Sequence, residues 1–264
     1  MLAKEVLCKT ILSKSRLETK YSINPYRGCS HACVYCYAPY VLREGREWGA
    51  FMEAKINAPE ILEKDLKRNK PGTIFISSVT DPYNSCEEKY KLTRKILEKL
   101  KGTDYFAVVQ TKSKLVLRDI DLLKHIKCEV GMTITTFDED ARKVFEPGAS
   151  QSLERLEALK MLKAEGIRTY IFFGPVLPMI SDIDLEETVK KFASANPDYV
   201  IVDRLNIKRP AHWKKIEKIL EKSYPQLVDK WQEILFSDKD YYKNIKERLA
   251  ELFQRYGLKY EMCY

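Results

Sequence analysis

Residues 27–38 read "RGCSHACVYCYA" and place Cys29, Cys33 and Cys36 within one short segment of a chain of 264 residues. The chain has seven cysteines, and the other four (Cys8, Cys86, Cys128 and Cys263) stand singly. An odd, scattered set argues against a secreted disulfide framework and for thiolate chemistry on a metal. The spacing CxxxCxxC admits three readings. Structural zinc is closed by four ligands. No fourth ligand is evident, and His31 is too close in sequence to sit comfortably beside all three thiols. A redox pair needs only Cys33 and Cys36 and leaves Cys29 unexplained. Iron–sulfur clusters are usually held by four cysteines. Three on a cubane leave one iron open, and an open metal position signals chemistry rather than structure. The spacing ranks a cluster first, zinc second and a redox or inert set last.

The surroundings narrow the class. Hydrophobic residues make up 45% and charged residues 32% of the chain, a globular rather than disordered composition. The length suits one large α/β domain or two small ones. The longest apolar runs, such as "TYIFFGPVL" (169–177), are too short to span a bilayer. The opening "MLAKEVLCKTILSK" lacks the apolar core and cleavage site of a signal peptide, so a cytoplasmic location is the default expectation. Net charge is +8, which tolerates a phosphate-bearing partner. Lys and Glu nevertheless alternate along segments such as "KKIEKILEKS" (214–223), as on a solvated face. No basic run is interleaved with aromatics, so charge alone does not specify nucleic acid.

Strand and helix patterns alternate on either side of the cysteines. "SINPY" (22–26), "GTIFISSVT" (72–80), "DYFAVVQT" (104–111), "CEVGMTITT" (128–136), "IRTYIFFG" (167–174) and "DYVIVD" (198–203) read as strands buried on both faces. Between them lie helical patterns. "PEILEKDLKRN" has Pro59 at its first position, and "EKYKLTRKILEKL" spaces Leu92, Ile96 and Leu100 on one face. "SLERLEALKMLKAEG" stops at Gly166, and "DLEETVKKFASA" opens with Asp184 and Glu187 at capping-box spacing. Helical crossovers make the sheet parallel, and their right-handedness curls it into a barrel or a doubly wound sheet. After Arg209 the pattern is helical up to a short "LKYEMCY" tail. The expected division is a barrel over 1–209 and a helical extension packed on it over 210–264.

Polar residues gather where the strands end: Ser77, Ser78, Thr80 and Asp81; Thr111 and Lys112; Thr135 and Thr136; Asp203, Arg204 and Asn206. Ligands of parallel sheets bind at these carboxyl ends. Loops begin with polar residues anyway, so the repetition around one rim carries more weight than any one group.

CxxxCxxC with Tyr35 before the last cysteine resembles the signature of the radical S-adenosylmethionine (SAM) enzymes. "NPYRGCSHACVYCYA" resembles their spore-photoproduct-lyase-like branch, and so do "SSVTDPYN", "QTKSKLVLRDIDLL", "FEPGASQSLERLEALKMLKAEGI" and "FFGPVLPMISD". The resemblance covers roughly residues 20–206. It implies a partial (β/α)6 TIM-like barrel of parallel strands, with a 4Fe-4S cluster on Cys29, Cys33 and Cys36. SAM is then chelated by the open iron and cleaved reductively, and a substrate hydrogen is abstracted. An electron donor such as a ferredoxin or flavodoxin is implied, with no membrane involved.

By the same resemblance Ser77, Ser78 and Thr80 meet the SAM amino group and Lys112 its carboxylate. Thr135, with Thr133 or Thr136 as substitutes, falls where ribose or carboxylate contacts occur. Arg155 reaches the methionine carboxylate, with a surface arginine as the plainer reading. Tyr35 contacts adenine through its backbone or shields the cluster. Asp81, Tyr83, Asn84, Asp203, Arg204 and Asn206 are the substrate-side candidates, and Cys86 is the candidate hydrogen donor. Arg118 and Asp119 read as a structural pair, and His125 and His212 as structural. One departure matters. Spore photoproduct lyase carries a quenching cysteine at the end of its second strand, and this chain has Val79 at about that position. Thymine-dimer repair is therefore not carried over. The competing function is a non-catalytic iron–sulfur or zinc module that binds nucleic acid or a partner.

Overall fold

The computed structural model describes residues 3–15 and 18–264. Apolar strands separated by amphipathic helices have one economical arrangement, in which helical crossovers return each strand parallel to the last. The strands are β1 (Lys4–Val6), β2 (Ser13–Lys14), β3 (Tyr21–Ile23), β4 (Tyr26–Arg27), β5 (Glu53–Lys55), β6 (Thr73–Ile76), β7 (Phe106–Thr111), β8 (Cys128–Thr133), β9 (Arg168–Val176), β10 (Tyr199–Arg204) and β11 (Tyr260–Met262). Eight of them form one sheet in the order β11-β10-β9-β8-β7-β6-β3-β2. Every neighbouring pair is parallel except β2 with β3. The six predicted strands are its centre, β3 and β6 to β10. The edges β2 and β11 are not paired with each other, so the fold is a partial, open barrel.

The helices are α1 (Ala38–Val41), α2 (Ala58–Arg68), α3 (Glu87–Tyr90), α4 (Leu92–Leu100), α5 (Ile120–Leu123), α6 (Glu139–Phe145), α7 (Ser152–Ala164), α8 (Leu185–Ser194), α9 (Pro210–Ser223), α10 (Val228–Phe236) and α11 (Tyr241–Arg255). Leu62 of α2, Ile96 and Leu97 of α4 and Leu159 of α7 pack with Ile74, Ile76, Val109, Val130 and Ile171 in one core. The Asp184 carboxylate accepts from Glu187 N–H and caps α8, as its spacing predicted.

The expectation of strands buried on both faces holds for β3 and for the runs of consecutive buried residues in β8 and β9, and needs correction at β6 and β10. In β6, Ile74 and Ile76 are buried while Thr73 and Phe75 are half-exposed, and β10 alternates likewise. An unclosed barrel leaves part of its inner face open, so these strands follow the two-residue period of a half-buried strand.

Two further features were not foreseen. A small second sheet, β1-β5-β4, lies beside the large one. The "LKYEMCY" tail supplies β11, which pairs with β10 from Val200 against Tyr260 to Val202 against Met262 and leaves Cys263 exposed. The helices before it do not stand apart. Trp213, Ile216, Leu220, Leu227 and Trp231 share a cluster with Cys33, Val34, Tyr35 and Phe145.

Candidate active site

β4 and β5 pair antiparallel, Tyr26 against Ala54 and Arg27 against Glu53. The intervening residues 28–52 therefore leave and return at one point, and this excursion carries the three cysteines. It is clamped from several sides. Gly49 has φ +101°, and a Cβ there would lie 2.5 Å from the Ala32 side chain. Gly148 abuts the Ser30 carbonyl, where a Cβ would collide, and donates its N–H to His31 O at 3.1 Å. Val34 N–H bonds Phe145 O at 2.9 Å, and the Thr80 hydroxyl bonds Gly28 O at 2.5 Å. Such closeness demands glycine, because a side chain would displace backbone rather than a flexible tip.

Cys29 and Cys33 are buried and Cys36 is half-buried, all as free thiols. Burial pushes the Cys29 thiol well up, and Asp81, Cys33 and Cys36 add to the effect. Burial carries Cys33 to about 12 despite the opposing charge of Lys112. Burial also raises Cys36, against hydrogen bonds from the Ala38 backbone and the Trp48 side chain. Cys29 thus responds to both other thiols and Cys33 to Cys36. Among the described residues, no three His, Cys, Asp or Glu side chains gather closely enough to hold a single metal ion.

A buried polar network lies against this loop. The Tyr35 hydroxyl donates to Glu146 Oε1 and lies 3.2 Å from Thr135 Oγ1, which donates to the same carboxylate oxygen at 2.7 Å. Arg155, fully buried, pairs with Glu146 Oε2 at 2.5 Å and donates to Thr133 O and Ser150 O at 2.9 and 2.8 Å. Burial opposes the charge on Glu146, but Arg155 and Lys112 hold it at about 2. The half-buried Lys112 ammonium lies 5.7 Å from the centre of the Tyr35 ring. Burial disfavours its charge, yet Cys33 and Glu146 raise its pKa overall. No hydrogen bond or ion pair engages that ammonium among the described residues.

The predicted residues separate into two groups. Tyr35, Lys112 and Thr135 meet beside the cysteines, and Asp203, half-buried at the end of β10, acts electrostatically on neighbouring Tyr37. Arg204 and Asn206 stand at that strand end too, where the Asn206 amide donates to Arg204 O. Ser77, Ser78 and Thr80 follow β6. Ser77 has φ +69°, and its buried hydroxyl finds no hydrogen-bond partner among the described residues. Ser78 Oγ accepts from Asn24, and Ser78 O accepts from Tyr37 at 2.6 Å.

Other candidates are committed elsewhere. Arg155 is no surface residue, and its guanidinium is taken up by Glu146 and two carbonyls. Asp81 is buried and accepts from the Thr111 hydroxyl and from the backbone of Lys112 and Tyr83, with His31 Nδ1 at 3.3 Å. Burial opposes its charge, but these donors, His31 foremost, hold it at about 2. It organises the turn rather than facing a cavity. Tyr83 is buried with Arg118 over its ring, and Asn84 closes the turn onto Asp81 O and Cys86 N. Cys86 packs with Ala3, Tyr26, Met52, Ala54 and Leu92, an apolar cluster that contains none of the three loop cysteines. Arg118 and Asp119 do pair, at 2.7 Å.

Sequence reasoning missed Glu146, Trp48, Asn24 and the role of His212. Glu146 sits within "FEPGAS", a matching segment whose resemblance assigns it no role. In the sequence His212 reads as structural. Its Nδ1 accepts from Lys208 N–H, so Nε2 carries the proton and donates to Tyr35 O at 3.0 Å. No local pattern announces that contact.

Comparison with known proteins places this geometry in context. A family model described as the Radical SAM superfamily matches residues 23–192. An uncharacterized protein of Methanocaldococcus jannaschii is 36% identical over 212 residues, 78% of this chain and 77% of that one. A protein of Pseudomonas phage M6 named radical SAM Nalpha-GlyT isomerase is 26% identical over 183 residues, 67% of this chain and 38% of its own. Among solved structures, a spore photoproduct lyase variant with bound AdoMet and dinucleoside spore photoproduct superposes with a TM-score of 0.74. It shows 15% identity over 98% of this chain and 81% of its own.

Proposed function

The chain belongs to the radical SAM superfamily, and from that membership we propose that Cys29, Cys33 and Cys36 hold a 4Fe-4S cluster whose open iron takes SAM. When bound, cluster and SAM supply one-electron cleavage of the sulfonium bond and hydrogen abstraction from a substrate. The observation that carries this reading is three free thiols on one clamped loop, without a fourth, facing the unengaged ammonium of Lys112. Structural zinc is closed by four ligands, and the clamped loop offers three thiols.

The remaining residues bind, orient and exclude water. Lys112, whose charge is favoured by its surroundings, receives the SAM carboxylate. The Ser77 hydroxyl, partnerless among the described residues, is an acceptor for the SAM amino group, since a buried hydroxyl left unbonded costs about 1–3 kcal/mol. Arg155 holds Glu146 rather than SAM, and Glu146 orients Tyr35 and Thr135. Raised thiol pKa values mean that protons must leave when metal binds, so loading improves with pH. Substrate enters over the rim of Asp203, Arg204 and Asn206. The electron comes from a carrier of the ferredoxin or flavodoxin kind. The catalytic barrel lies within residues 1–209, and residues 210–264 brace it and add the edge strand β11. Val79 packs with Cys29, Ala38 and Trp48, so no thiol stands there for photoproduct repair. A passive binding module has no use for a free cation beside three open thiols.

The test is anaerobic reconstitution with iron and sulfide, followed by dithionite and SAM. We expect about four irons per chain and release of 5′-deoxyadenosine. Alanine at Cys29, Cys33 or Cys36 should abolish the product, while Cys8→Ala and Cys263→Ala should not. A zinc-loaded protein that leaves SAM intact would overturn the reading.

A further inference from the structure

The cysteine excursion forms one wall of a groove of about 430 Å³, lined by Tyr40, Val41, Arg43, Lys208 and Arg209. The three cations are exposed, and among the described residues no carboxylate lies within ion-pair distance of any of them. Glu44, next to Arg43, is already taken by Arg27 and Arg46 at 2.9 and 2.8 Å. Like charges gathered without counter-ions repel one another and favour a partner of opposite sign. Short contacts lead from this groove to the cysteines. Tyr40 is four residues beyond Cys36, so their Cα atoms are at most about 14 Å apart. The Tyr40 ring stacks on the His212 ring at 4.5 Å between centres. His212 accepts from Lys208 N–H at 3.3 Å and donates to the carbonyl of Tyr35, the residue before Cys36, at 3.0 Å. Cys36 is also the half-buried thiol of the three, whereas Cys29 and Cys33 are buried.

We propose that the groove of Tyr40, Val41, Arg43, Lys208 and Arg209 is the docking site of a small acidic electron-carrier protein, which passes its electron inward past Tyr40. The inference rests on the cluster proposed above and adds the place where its electron arrives. The carrier is oxidised by one electron and the cluster reduced by one, and no bond is made or broken. Electron-transfer encounters bury little surface and are weak, so three cations around an aromatic suffice. Opposite charge steers the approach and raises the association rate without demanding high affinity. A nucleic acid fits less well. Binding its phosphates takes a track of about 6–10 contacts, whereas three cations line this recess.

The test is the triple variant Arg43→Ala, Lys208→Ala, Arg209→Ala. All three side chains are exposed and unpaired among the described residues, so fold and iron content should match wild type. Anaerobic stopped-flow spectroscopy at low salt follows reduction of the protein by a reduced flavodoxin or ferredoxin of net negative charge. The variant should be reduced about tenfold more slowly than wild type. Added salt should slow wild type and close the gap. Reduction by photoexcited 5-deazariboflavin, a small uncharged reductant, should be the same in both. Equal rates with the carriers, or a wild type that neither carrier reduces, overturn the proposal. A variant that binds a short DNA or RNA duplex less tightly yet takes carrier electrons normally makes the groove a nucleic-acid site, which also overturns it. A second measurement does not depend on electron flow. Carbodiimide should join carboxylates of the oxidised carrier to Lys208 of the wild-type protein, and cross-links confined to other faces overturn the proposal. Failure of the earlier reading looks different. A wild-type protein that assembles no cluster sinks both, whereas one that cleaves SAM with dithionite but ignores the charge of this groove sinks only this one.

Discussion

Glu146 shows how much one side chain organises. Its carboxylate lies between Arg155, Tyr35 and Thr135, on the aromatic that separates two of the cysteines. Its folded pKa of about 2 lies below the ordinary value of 4.5. The unfolded state therefore binds more protons in acid, so this stabilisation is fully present above about pH 4.5 and is lost as pH falls toward 2. Glu146→Gln keeps the shape but leaves Arg155 buried without its counter-charge, which should cost about 3–5 kcal/mol at pH 7. The difference from wild type should shrink steadily between pH 4.5 and 3. Urea denaturation at pH 7, 4.5 and 3 checks both points, and a pH-independent difference would exclude the ion pair as the cause. Lys112 was readable in the sequence because it ends a strand in a matching segment. Glu146 was not, because a glutamate in a Pro-Gly loop looks like any solvated turn until the fold buries it.

At the scale of elements, the parallel strands and long helices were readable because each repeats its hydrophobic period over several residues. α4 sets Leu92, Ile96 and Leu100 on one face, and all are buried. β4 and β5 were not readable, since two or three residues carry no period. Yet this pair fixes the base of the cysteine excursion. The segment "EPGAS" was equally silent about its contact, although Gly148 touches Ser30 backbone through it. Backbone cannot yield as a side chain can, so Gly148→Ala must push one loop away from the other. The variant should remain folded, with an unchanged far-ultraviolet circular dichroism spectrum, because Gly148 lies outside every strand and helix. Iron retained after anaerobic reconstitution should fall by more than half. Full retention would show that the cysteine loop keeps its shape without this clamp.

Over the whole molecule, the helices after Arg209 could be predicted as a packed extension, but the object of their packing could not. Amphipathic spacing says that a face is buried and is silent about its partner. That partner is in part the cysteine loop: Trp231 is fully buried, stacks on Phe145 at 5.7 Å, and shares a cluster with Cys33 and Tyr35, while His212 bonds Tyr35 O. α11 instead sends Leu249 into the main core, away from the cysteines. Two truncations of comparable cost should therefore differ in effect. Trp231→Ala should destabilise by about 3–5 kcal/mol and Leu249→Ala by about 2–5 kcal/mol. If the extension braces the site, only Trp231→Ala should also lower iron retention, measured at a temperature where both variants are at least nine-tenths folded. Cavities relax locally and distant sites add independently, so the effect of Leu249→Ala should stop at the core beneath α8 and α11. Equal iron loss in both variants would mean that cluster loading follows global stability alone. Loss confined to Trp231→Ala would mean that these C-terminal helices are part of the cysteine loop's scaffold.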